Sequence, residues 1–125
     1  MKIDAHLQRN IHILQNLLEL ELKERLIFIL IEGARTEDEN IEYYQNKYGE
    51  NWKKYYNSNS LHIVKESTGN ILKAMDIAFK KEDGSYLPGR DILKVIQDNF
   101  LFSNVGVAEN YVHVDVMIRT WYYKN

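Results

Sequence analysis

No cysteine occurs anywhere in the 125 residues. Disulfides and thiolate metal sites are therefore both excluded, and any metal must rest on imidazole and carboxylate. No apolar run approaches the roughly 20 residues of a membrane-spanning helix, so membrane insertion is not expected. The N-terminus lacks the apolar core and small-residue cleavage site of a signal peptide, which predicts cytoplasmic synthesis. An excess of either charge is also missing. Lys and Arg total 16 against 18 Asp and Glu, a formal net charge of −2, so nucleic acid and anionic membranes are not expected partners. Histidine is scarce at four residues, which makes the position of each informative. The remainder is ordinary: 45% hydrophobic and 27% charged residues, in a length that suits one domain over 1–125 with a modest core.

Hydrophobic spacing sets out the elements. Ile3, Leu7, Ile11, Leu14 and Leu18 recur at helical intervals and predict a helix over residues 3–21. His6 and His12 fall on it as surface or boundary residues. Leu26 to Ile31 is wholly apolar and β-rich, and predicts a strand buried on both faces. Thr36 is placed to cap a following helix, with Glu37, Asp38 and Glu39 in its first turn and an end near Gly49. The tyrosines and Trp52 between 43 and 56 suit packing, with a sugar-binding platform as the alternative. Ile71 to Phe79 predicts a strand with Asp76 inside it. Asp83-Gly84 and Pro88-Gly89 are turn signals, and Ile92, Val95, Ile96 and Phe100 make an amphipathic helix. The alternation of elements implies an α+β fold: a small antiparallel sheet flanked by helices, in which the last two strands pair.

The last strand concentrates the chemistry. In Tyr111-Val112-His113-Val114-Asp115-Val116, residues two apart share a face. His113 and Asp115 project together, opposite Val112, Val114 and Val116. His62 and, further on, Asp76 are the candidates to join His113. Two histidines and a carboxylate are what a catalytic zinc ion takes from protein, leaving one position for water. A carboxylate inside an apolar strand, as at Asp76, must be paired or bound to a cation. Taken singly, each has a plainer reading: His113 as a hydrogen-bonded structural histidine, Asp115 paired with Arg119 or Arg35, Glu109 as a solvated turn residue.

Four segments in order, Gly33-Ala34-Arg35-Thr36, Ser60-Leu61-His62, Ala74-Met75-Asp76-Ile77 and Val112-His113-Val114-Asp115, resemble the zinc peptidases that cut bacterial cell-wall peptides. That family includes D-alanyl-D-alanine carboxypeptidases and the L-alanyl-D-glutamate endopeptidases of phage endolysins, and shares its fold with the Hedgehog signalling domain. Arg119 and Trp121, after the His-Val-Asp run, add to the resemblance. It implies a Hedgehog/DD-peptidase-like fold with Zn2+ held by His62, Asp76 and His113. Arg35 would bind a substrate carboxylate or carbonyl, and Ser60 would support the His62 loop. The stretch from His62 to Asp76 is longer than the family's, which an insertion at 65–70 accounts for. The family's general-base position falls on Asn110, an amide that cannot take a proton. The base role then falls to Asp115, on the strand face of His113, or to Glu109.

The resemblance implies hydrolysis of peptidoglycan stem peptides by a monomer. Synthesis without a signal peptide suits an endolysin that reaches the wall through a holin. An inactive relative that binds peptides in the same cleft is the alternative, and a small interaction protein without chemistry is a more distant one. A strand ending in Glu-Gly is also similar to the metal-binding strand of Toprim domains, but the Asp-x-Asp pair of that family occurs nowhere in the chain.

Overall fold

Asp4 starts the first helix by accepting hydrogen bonds from the backbone N–H groups of His6 (2.9 Å) and Leu7 (3.1 Å). The computed structural model describes residues 2–56, 61–64 and 69–117. Its elements, in chain order, are β1 (Lys2–Ile3), α1 (Ala5–Leu22), β2 (Ile27–Glu32), α2 (Glu37–Tyr48) and, after a 3-10 turn, α3 (Trp52–Tyr55). There follow β3 (Ile71–Leu72), β4 (Ala74–Lys80), α4 (Gly89–Asp98), β5 (Val105–Val107) and β6 (Val112–Asp115). The four-stranded sheet has the order β2-β4-β6-β5, and every neighbouring pair is antiparallel. The coarse α+β expectation holds, including the pairing of the Asp76 strand with the last one. Separately, β1 and β3 form a short parallel pair. No described helix is long and apolar enough to cross a membrane.

One face of the sheet is the core. Leu7, Ile11, Leu14 and Leu18 of α1 and Ile92, Val95 and Ile96 of α4 pack against Met75, Ile77 and Phe79 of β4 and Val112 and Val114 of β6. These are the residues that the helical and strand periods select. The alternate residues of β4 and β6 face the other way and carry the polar groups.

Four expectations fail here. Ile3, placed on the first helix by its spacing, belongs to β1, and Ile71 to Phe79 is not one strand but divides at Lys73 into β3 and β4, which pair in different sheets. Leu26 to Ile31 is not buried on both faces: Ile27, Leu30 and Ile31 are 59%, 50% and 47% exposed. The strand lies at the sheet edge, and the helix layer is seated over β4 and β6 instead. Apolar content alone does not separate a central strand from an edge one. Nor does Phe100 belong to the amphipathic face of α4. The helix ends at Asp98, and Phe100 has φ 54° and is 92% exposed. Pro88 serves as the helix N-cap, and Gly89 is its first residue. A Cβ at Gly89 would collide with the backbone carbonyl oxygens of Ala108 and Tyr111, so only glycine lets α4 sit this close to the β5–β6 turn.

At α2 the expected Thr36 cap is present, and Glu39 completes it. Thr36 Oγ1 accepts from Glu39 N (3.1 Å), and the Glu39 carboxylate accepts from Thr36 N (3.3 Å), a reciprocal capping box. Asn40 is the only fully buried residue of this helix. Tyr43, Tyr44, Tyr48, Trp52, Tyr55 and Tyr56 form a continuous ladder of ring contacts, closest between Tyr48 and Tyr55 at 4.2 Å. These aromatics pack on one another, apart from the main core.

Candidate metal centre

Sheet register builds most of the site. Asp76 on β4 stands directly opposite His113 on β6. Directly opposed residues share a face, and this face is turned away from the helix layer. Val112 and Val114 point into the core, as the alternation requires. His62 arrives from a loop. Arg35 N donates to His62 O (2.8 Å) and Val64 N to Arg35 O (2.9 Å), so residues 62–64 run beside the segment that follows β2. The longer stretch between His62 and Asp76 leaves their approach intact. Ser60 and residues 65–68 of that stretch lie outside the described residues, as do Arg119 and Trp121.

Three donor atoms converge. His62 Nε2 lies 3.2 Å from His113 Nδ1, His113 Nδ1 lies 3.0 Å from Asp76 Oδ1, and His62 Nε2 lies 3.4 Å from the same oxygen. A tetrahedral ion with bonds of about 2.0–2.1 Å separates its ligand atoms by roughly 3.3 Å. The triangle therefore has the size of one tetrahedral face around zinc. Among the described residues, this is the one group of three such side chains that could share an ion.

The far nitrogen of each imidazole is also occupied. His62 Nδ1 donates to the carbonyl of Gly33 (2.8 Å), and His113 Nε2 donates to Asp115 Oδ2 (2.7 Å). These partners fix the tautomers and aim Nε2 of His62 and Nδ1 of His113 at the shared point as lone pairs. Two lone pairs and a carboxylate oxygen facing one another call for a proton or a cation between them. Without a metal, His113 takes that proton. Hydrogen bonds to Asp115 and then Asp76 outweigh its burial and push it up to about 9. Burial pushes the Asp76 carboxyl up, but hydrogen bonds from His113 and His62 prevail and hold it well below the usual carboxylate range. Asp115 is lowered in the same way, its burial overcome by hydrogen bonds from His113, Met117 N and Asn104.

Asp115 is not placed to act as a base. It is 3% exposed, on the side of His113 away from the donor triangle. Its oxygens are taken by His113, by Asn104 Nδ2 (2.6 Å) and by Met117 N (2.9 Å). It orients the imidazole of His113. Glu109 lies exposed in the β5–β6 turn, past the bond from Ala108 N to Tyr111 O that closes the hairpin, and does not join the cluster. Arg35 is buried beside His62, with Nε 3.4 Å from Glu32 Oε1 and its guanidinium 4.4 Å from the Tyr43 ring centroid. His6 and His12 are exposed on α1, as expected.

Sequence reasoning missed the Gly33 carbonyl, Asn104 and Glu32. A backbone acceptor leaves no residue-type signal. Asn104 could have been suspected only as a polar residue flanking a strand that pairs with β6. Comparison with protein-family models, with curated proteins and with solved structures gives no match.

Proposed function

We propose that this chain is a zinc-dependent peptidase that hydrolyses peptide bonds in peptidoglycan stem peptides, on a Hedgehog/DD-peptidase-like form of the α+β fold. The observation that carries the reading is the donor triangle of His62, Asp76 and His113, with both outer imidazole nitrogens anchored. The order of the motifs along the chain supplies the substrate class, through the resemblance to cell-wall peptidases. The donor set fits zinc: two nitrogens and one carboxylate oxygen, with a tetrahedral position left open. Bound there, zinc supplies Lewis acidity, making water a nucleophile near neutral pH and polarising the scissile carbonyl.

The chain's own residues do the rest. Gly33 and Asp115 hold the two rings in their ligating tautomers. Arg35, adjacent to His62 through the backbone, offers a guanidinium to a substrate carboxylate or to the developing oxyanion. Stem peptides carry free carboxylates, which suits that group. In a cell, the enzyme would reach its substrate as endolysins do, released through a holin.

The test uses purified protein, zinc and peptidoglycan, with new amino termini read by mass spectrometry. Wild type should generate them and His113→Ala should not. Intact peptidoglycan after incubation with zinc-loaded wild type would refute the reading.

A further inference from the structure

The ladder between β2 and β4 has one irregularity, and it falls beside the site. Leu30 stands opposite Ile77. A regular antiparallel ladder would next place Ile31 opposite Asp76. The register shift between Leu30 and Glu32 places Glu32 there instead. Bulges of this kind re-aim a side chain, and they are over-represented next to active sites. The outcome is a row across three adjacent strands, Glu32, Asp76 and His113, whose last two members belong to the donor triangle. Glu32 is partly exposed, and its Oε1 is 3.4 Å from Arg35 Nε, an ion pair that draws the carboxylate toward the side chain assigned to the substrate.

Among the described residues, the other carboxylates near the site are already committed. Asp76 faces both imidazoles, Asp115 is behind His113, and Glu109 is in the hairpin turn. Among the described residues, Glu32 is the carboxylate beside the triangle that is not hydrogen-bonded to an imidazole.

We propose that Glu32 is the proton-transferring carboxylate of this site. The assignment rests on the peptidase reading. Glu32 takes a proton from the attacking water as the water oxygen bonds to the scissile carbonyl carbon. The C–N bond then breaks, and the proton passes from the Glu32 carboxyl to the departing amine nitrogen. One water is consumed, and Glu32 ends as the carboxylate it began as. Arg35 stays outside the proton path and holds the carboxylate in place.

Glu32→Gln keeps the shape and removes the base, and it can be read in three ways. Zinc stoichiometry and affinity, measured by competition with a chromogenic chelator, should match wild type. KM for a soluble muropeptide should stay put, while kcat falls by about 100-fold or more, the usual contribution of a general base. Glu32→Asp, one methylene short, should fold and recover part of kcat. A kcat for Glu32→Gln within about threefold of wild type overturns the proposal, and so does a raised KM with kcat kept, which would mean that Glu32 acts only through Arg35. Wild-type turnover is measured first. If zinc-loaded wild type leaves muropeptides intact, the peptidase reading itself has failed. If wild type cleaves and Glu32→Gln cleaves equally, the Glu32 assignment alone has failed.

Discussion

Asp115 and Asn104 show how much of a candidate metal site can lie one contact behind the side chains that would hold the ion. Asp115 Oδ2 accepts from His113 Nε2 and from the Asn104 amide at once. Asp115→Asn keeps the volume but removes the charge and sets two amide groups against each other. Loss of such a ligand-orienting partner typically costs 10–100-fold in metal affinity, and about that loss is expected here by chelator competition. Glu32→Gln, on the other side of the site, should leave the same measurement unchanged. If Asp115→Asn binds zinc as tightly as wild type, His113 does not depend on it for orientation. The His-Val-Asp spacing disclosed that the two side chains share a strand face. It could not disclose which ring nitrogen the carboxylate meets, and that detail separates a base from an orienting group.

Among the elements, α4 depends on a close approach. Gly89 N donates to Glu109 O at 2.8 Å, and the helix begins where any β-carbon would strike the hairpin backbone. Gly89→Ala must push α4 off the β5–β6 turn, against Ile92, Val95 and Ile96, all packed into the core. Overpacking of this kind costs about 1–3 kcal/mol, seen as a lower midpoint in urea or thermal unfolding. An unchanged midpoint would show that the turn yields freely. Much at this scale was legible beforehand. The apolar spacing from Leu7 to Leu18, Thr36 as a helix cap and the alternation along β6 are local patterns, and the structure keeps them. What local pattern lacks is the position of one layer over another. It gives Ile27 to Ile31 as a strand but not as an edge, and it carries Phe100 on a helical period past the point where the helix ends. The donor triangle was legible through motif order. The bulge that brings Glu32 beside it is a property of two strands together, and neither sequence announces it alone.

The whole molecule should register the site through its response to pH. In the metal-free protein, His113 titrates at about 9 rather than the ordinary 6.5. A group whose pKa rises on folding contributes stability that is complete below its unfolded value and is lost as pH climbs through the folded one. Asp76 and Asp115 are lowered, so their contribution is present above the ordinary 3.8 and is lost as pH falls. Metal-free protein should thus be most stable between roughly pH 4 and 6.5 and weaken toward 9. With zinc in place of the shared proton, the alkaline loss should disappear, so the gap between unfolding midpoints with zinc and with chelator should widen from pH 6 to pH 8. Thermal melts followed by circular dichroism decide this, and parallel curves would contradict it. The triangle's dimensions also set ion selectivity. Magnesium and calcium seek six or more oxygens, and two imidazole nitrogens spaced for short bonds offer them almost nothing. Even where magnesium is abundant, the pocket should ignore it and answer to scarce nitrogen-seeking ions, with copper as zinc's most serious competitor.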